Sequence, residues 1–150
     1  MAARGVLQGV RAGQALSRNP MTLSSSATVG QAAVLVMRGD RPDFAIVDPF
    51  SRQLLGVVSS SDVARAVERD QWSSPLSAIM RPAERLPRVA PHTPLSEVQD
   101  QLAEASSRVA AVYDGPFFQG LISLEDVRRV FQFVSRGGSV AGRPSWEKTG

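Results

Sequence analysis

Apolar residues at Val29, Ala32, Ala33, Val36 and Met37 fall three and four positions apart, the spacing of one helix face, and Leu95, Val98, Leu102 and Ala105 trace the same face further along. Each stripe is followed by two short apolar runs with a turn between them. "FAIVD" (44–48) and "AAVYD" (110–114) both close on an aspartate, then pass through "PFSRQL" or the shorter "GPF" into a second run. Runs joined in this way predict β-hairpins. A further helical stripe follows each hairpin, Val63, Ala66 and Val67 in one case and Val127, Val130, Phe131 and Val134 in the other. Ahead of each first helix lies an extended stretch, "MTLSS" around Leu23 and "PRVAP" around Val89, and ahead of those come "AGQAL" and "LSAIM". Thr93 before Pro94 predicts an N-cap with proline at the first helical position.

The order strand, helix, strand, strand, helix is therefore written twice, which predicts an α+β chain of two pseudo-symmetric β-α-β-β-α repeats. The repeats span 10–69 and 76–135, with a linker at 70–75 and a tail at 136–150 that has lost all periodicity. A unit of about 60 residues buries little surface alone, so the two copies are expected to pack on each other.

The repetition is sharpest in one phrase. "GVVSSSDV" (56–63) and "GLISLEDV" (120–127) share Gly-x-x-Ser-x-x-Asp-Val, the second starting 64 positions after the first. Structurally, Ser59 with Asp62 and Ser123 with Asp126 match a capping box, in which serine accepts from a free backbone N–H and the acid three positions on reaches back. Chemically, the same residues suit a nucleotide. A helix start attracts phosphate, Ser59 adds a hydroxyl donor, and Asp62 offers two acceptor oxygens to a ribose diol. Gly56 permits close approach of a ligand or of a neighbouring strand. Gly120, Ser123 and Asp126 repeat the set, and Ile46, Val112 or Leu121 would wall an apolar cleft for a base.

Composition narrows the alternatives. The chain has no cysteine and a single histidine, His92, which excludes thiolate chemistry, cysteine-based metal sites and multi-histidine metal sites. His92 sits in "APHTPL" and is expected to be an exposed loop residue, so a Ser-His-Asp triad has no candidate base and the chain is not expected to be an enzyme. Net charge is +3, with sixteen of the seventeen basic residues arginine, scattered among acids rather than forming a stripe. This pattern does not point to nucleic acid. No apolar run approaches the about 20 residues a membrane span requires. The N-terminus does not match a secretory signal, and a cytoplasmic location without membrane insertion is expected.

At this point the chain resembles a tandem pair of cystathionine-β-synthase-type (CBS) domains, a Bateman module. The resemblance rests on the doubled Gly-x-x-Ser-x-x-Asp, on "RVAPHTPLSEV" and on the order of elements, over roughly residues 10–134. It implies two repeats forming a disc, pairing into homodimers through the repeats, and no required cofactor. It also implies clefts that bind AMP, ADP, ATP or S-adenosylmethionine as regulatory ligand, with Asp62 and Asp126 on ribose and Ser59 and Ser123 on phosphate. A basic residue six positions before the hairpin aspartate often assists with phosphate in such pairs; Arg108 stands there in the second copy, Pro42 in the first. A narrower likeness, in "GVRAGQAL" and "ERDQWSSPLSAIM", is to the cytosolic CBS pair of site-2-protease-like membrane zinc metalloproteases. It implies a regulatory region of such a protease, or a stand-alone relative, with no peptidase activity of its own. The competing expectation is a dimerisation module that binds no ligand, with Val127, Val130, Phe131 and Val134 in the subunit interface.

Overall fold

The computed structural model describes residues 9–16, 22–39 and 43–135. They fall into two compact units that interleave along the chain. One contains residues 22–85 and is called here the first-repeat unit; the other combines residues 9–16 with 86–135 and is called the second-repeat unit.

In the first-repeat unit, β1 (Thr22–Ser24) leads through α2 (Val29–Arg38) to β2 (Asp43–Val47), then β3 (Leu54–Ser59) and α3 (Ser60–Glu68). The sheet runs β1-β2-β3-β4, the last strand being the short β4 (Arg81–Pro82). β1 is parallel to β2 because α2 carries the chain back between them, and β2 pairs antiparallel with β3 as the predicted hairpin. In the second-repeat unit, β5 (Arg88–Val89), α4 (Leu95–Glu104), β6 (Val109–Asp114), β7 (Phe117–Ser123) and α5 (Leu124–Ser135) repeat the path. That sheet runs β5-β6-β7, again with a parallel first pair. The predicted β-α-β-β-α order is present in both copies.

The two hairpins share an irregularity. Register slips by one residue between Ile46 and Val47 and again between Val112 and Tyr113, so Leu55 and Gln119, each just before the repeated glycine, are left over as bulges. Their turns differ. In the first, the Asp48 carboxylate accepts from the N–H groups of Phe50 at 2.8 Å and Ser51 at 2.9 Å. In the second, Gly115 has φ +60 and precedes Pro116, whose ring keeps φ negative, a combination that makes a two-residue turn of the II′ kind.

Each unit has its own apolar core. Phe44, Ile46, Val58, Val63 and Leu76 anchor the first; Leu95, Val98, Val112, Ile122 and Val127 anchor the second. Two helix-face expectations change. Met37 is 75% exposed rather than on the core face of α2, and Ala105 is the exposed residue that ends α4. Thr93 does not cap α4. Pro94 occupies the N-cap, while the Thr93 hydroxyl accepts from Ala90 N–H at 3.0 Å and its carbonyl accepts from Ala12 N–H at 2.8 Å. Leu95 N–H is satisfied instead by the Val10 carbonyl at 2.9 Å, so the start of α4 is capped by backbone from the chain's N-terminal side.

That N-terminal piece includes α1 (Ala12–Ala15), the predicted "AGQAL" segment. The corresponding piece of the first-repeat unit is the 3₁₀ turn Leu76–Ala78, from "LSAIM". The hydrogen bonds correspond as well. Leu76 N–H donates to Ala27 O at 2.8 Å and Val29 N–H to Ser74 O at 2.9 Å. Each unit is thus completed by the chain that precedes the other repeat. The predicted tail, 136–150, lies outside the described residues, and so does Pro42.

One prediction arises from the Asp48 turn. The backbone N–H groups of Ser51 and then Phe50 lower the Asp48 pKa below the ordinary value of 3.8. A depressed carboxyl stabilises the folded turn above its unfolded pKa, and that contribution disappears as pH falls through the folded pKa. NMR titration should give a midpoint under 3.8 with the Phe50 and Ser51 amide shifts moving in step; a midpoint at or above that value contradicts the turn's assigned role.

Candidate functional site

The repeated phrase forms, in both units, the end of a hairpin strand and the first turn of a helix. Ser59 is the N-cap of α3: its Oγ accepts from Asp62 N–H at 3.1 Å, and Asp62 Oδ2 accepts from Ser59 N–H at 3.0 Å. Ser123 and Asp126 make the same pair at the start of α5, at 3.1 and 2.9 Å. Both predicted capping boxes are present. The serine hydroxyls keep their own O–H as a donor, since only their lone pairs are engaged here.

The carboxylates are less available than the sequence suggests. One oxygen of each is committed to the N-cap N–H, so neither aspartate presents two unoccupied acceptors to a diol. The other oxygen faces an arginine three positions on: Arg65 pairs with Asp62 Oδ1, and Arg129 with Asp126 Oδ1 at 3.3 Å. Asp62 and Asp126 side chains are 27% and 20% exposed, whereas Arg65 and Arg129 are 62% and 77% exposed. The aspartates therefore sit at the surface of each helix start, covered on one side by a guanidinium that is largely in water. Sequence reading missed these two arginines. The signal was there: the 64-residue offset that relates Asp62 to Asp126 also relates Arg65 to Arg129, so the phrase extends to Asp-Val-x-Arg.

The glycines hold the same place for different reasons. A Cβ on Gly56 would lie 2.5 Å from the Arg81 carbonyl and 2.8 Å from Met80 Sδ, so Gly56 makes room for the neighbouring chain at β4. Of the two approaches expected there, the structure shows the neighbouring strand. Gly120 has φ +154, which side-chain-bearing residues rarely adopt. It follows the Gln119 bulge and lets β7 resume its pairing.

Arg108 is brought to the start of α5. Its carbonyl accepts from Leu124 N–H at 2.8 Å, and its guanidinium lies 3.8 Å from Glu125 Oε1. The second helix start thus gathers Arg108, Ser123 and Asp126, together with Glu125 where the first copy has Ser61. The proposed base wall changes. Ile46 and Val112 are 0% exposed within the two cores and cannot touch a ligand without rearrangement, which leaves half-buried Leu121. Val127 is likewise a core residue, and Val130, Phe131 and Val134 pack against that same core, so the α5 stripe is engaged within its own unit. His92 is exposed.

Among the described residues, every buried side-chain nitrogen or oxygen has a hydrogen-bond partner, and no group of three metal-ligating side chains is assembled. No helix among them is long and apolar enough to cross a membrane.

Comparison with known proteins now bears on this geometry. No curated protein matches the chain. Several solved structures share its fold. The chain is similar to the CBS domain pair of protein MJ0100 in complex with methylthioadenosine and S-adenosyl-L-methionine, at 22% identity, with 82% of this chain and 96% of that one covered and a TM-score of 0.70. It is similar to CBSX2 in complex with AMP, at 20% identity, 85% and 100% coverage and a TM-score of 0.70. It is also similar to the CBS domain of a bacterial CNNM/CorC family Mg2+ transporter in complex with ATP, at 16% identity, 87% and 93% coverage and a TM-score of 0.74. At these identities the likeness is one of fold. The CBS domain family model matches twice, over residues 12–69 and 76–132, each match containing one Ser/Asp helix start. With two matches spanning most of its length and the α+β pair architecture in place, the chain belongs to the CBS domain family.

Proposed function

We propose that this CBS pair is a regulatory module that binds an adenine nucleotide or related adenosyl ligand and thereby modulates an attached or partner protein. The observation that carries the reading is the duplicated helix start, where a serine O–H, a carboxylate oxygen held only by an exposed arginine, and the positive end of a helix converge. Phosphate would take the Ser59 or Ser123 hydroxyl, with Arg108 assisting in the second copy, and ribose would take Asp62 or Asp126. Gly56 and Gly120 would act indirectly, by setting the strand that delivers each serine. Three structures of similar fold hold adenosyl ligands, which supports the ligand class. The regulated protein we propose is a site-2-type membrane metalloprotease, on the likeness of the two linker stretches; a neighbouring coding region with a His-Glu-x-x-His helix would support it, and an unrelated neighbour would remove it.

Calorimetric titration of the chain with AMP, ATP and S-adenosylmethionine tests the ligand reading. Binding is expected for at least one of them, and absence of heat with all three at millimolar concentration overturns the reading. Asp126→Ala is expected to weaken binding by about 1.5–3 kcal/mol, the worth of a charge-assisted hydrogen bond, and Asp62→Ala by less, because the sequence has Pro42 where the second copy has Arg108. Equal or reversed losses would invert the ranking of the sites.

Homodimerisation is a second component of the proposal, and one observation gives it a surface. Val34 and Met37 are 41% and 75% exposed on one face of α2, and Gly30, a turn before Val34, lies against Trp72, itself 45% exposed. This face is open to a second copy, alongside the partly buried α5 stripe. Met37→Glu should convert a dimer to a monomer by light scattering; an unchanged mass removes α2 from the interface.

A further inference from the structure

The second-repeat unit depends on residues that precede the first repeat's own β1. Val10 and Ala12 are 4% and 0% exposed in its core beside Val112, Ile122 and Val127, with Ala15 and Leu16 packed against the same cluster. The backbone there is tied at three points: Ala12 N–H to Thr93 O and Gly13 N–H to Pro91 O, both 2.8 Å, and Leu95 N–H to Val10 O at 2.9 Å. Arg11 adds a longer bond to the His92 carbonyl at 3.4 Å. A four-residue helix has no stability alone, so α1 is ordered by this docking. It also touches α5, the helix that Ser123 caps and whose first turn holds Asp126.

We propose that residues 9–16 are a strap through which the N-terminal side of the chain controls the second-repeat site selectively. The inference rests on the adenosyl reading of that site. Docked strap and ordered α5 start support each other across one core, so a ligand that favours the ordered start favours the docked strap, and a pull that undocks the strap weakens the ligand by the same factor. The counterpart in the first-repeat unit, around Ser74 and Leu76, lies between the repeats, after the first repeat's own strands and helices. It is not addressed from the N-terminal side. Anything that acts on the chain ahead of residue 9 is therefore coupled to the second copy of the site, although the first copy follows it in sequence.

The test uses the full chain carrying Gly13→Val, because a Cβ there meets the Pro91 Cβ and carbonyl oxygen at 3.2 Å. Gly13→Ala is the milder companion should the valine variant fail to fold. Without nucleotide, residue-resolved hydrogen exchange is expected to quicken about tenfold or more at Ala12, Leu95 and Ser123, and to stay unchanged at Val29, Ser59 and Leu76. Unaltered exchange at Ser123 overturns the inference whatever binds. AMP is then titrated into Asp62→Ala and Asp126→Ala backgrounds, each retaining one site. Gly13→Val should weaken AMP by about fivefold or more in the first background and leave the second unchanged. Equal weakening in both, or none in either, overturns strap control. Absence of binding in the unmutated chain as well removes the adenosyl reading itself, which the exchange measurement distinguishes.

Discussion

Gly56→Val is expected to unfold the first-repeat unit while the second-repeat unit keeps its protection against hydrogen exchange. The side chain would have to occupy space held by the Arg81 carbonyl, 2.5 Å from the new Cβ, and by Met80 Sδ at 2.8 Å. A carbonyl on a paired strand cannot swing aside as a side-chain tip can. Relief requires β4 to leave β3, breaking the Gly56–Pro82 and Val57–Arg81 pairings. Overpacking of this kind costs about 3 kcal/mol, a large share of a small domain's stability. Gly120→Ala provides the comparison. Its penalty comes from φ +154 rather than from crowding, about 1–3 kcal/mol, and falls on the other unit. Urea titration followed by residue-resolved exchange separates the two. If both substitutions loosen the same unit, or neither changes stability, the two causes assigned to one repeated glycine are wrong.

Ala12→Asp should have an effect at least as large, in a place the repeat boundaries do not suggest. The family match beginning at residue 12 assigns Ala12 to the first repeat. The structure buries it at 0% exposure among Leu95, Val98 and Ile122 of the second-repeat unit. A carboxylate there has no cation to pair with in that apolar cluster, and an uncompensated buried charge costs about 3–5 kcal/mol. Exchange protection is expected to fall throughout 86–135 and to persist in 22–85. The reverse pattern would show that the N-terminal segment belongs with its sequence neighbours after all.

These two positions mark where sequence reading succeeds and where it stops. The hairpins and helices were legible because periods of two and of three to four residues are local, and the twofold writing of each element made them stronger. The capping boxes were legible too, since a serine and an aspartate three apart carry the whole device. Legibility failed where one residue type serves several causes. Nothing in the string separates a glycine crowded by a neighbouring strand from one held at positive φ. Nor does it show that Ile46 and Val112, which could have faced a ligand, are drawn into the cores. The assignment of "AGQAL" to the far unit was hidden for a different reason. Its partners, Pro91 and Thr93, are about eighty positions away, and a periodic pattern says which face is apolar without saying what it meets. Met37 illustrates the same limit: its spacing fits the buried stripe of α2, yet it lies one step beyond the arc that the core covers.

The arginines at positions 65 and 129 carry a last consequence. Each aspartate at a helix start is paired with a cation from its own helix, so the proposed site would present no bare negative spot to repel a nucleotide. If ribose takes Oδ1 as proposed, its hydroxyl competes with that guanidinium for the oxygen. Occupancy would then be written on the outside of α3 or α5 as a released positive charge, a signal that a neighbouring protein can read without entering the site.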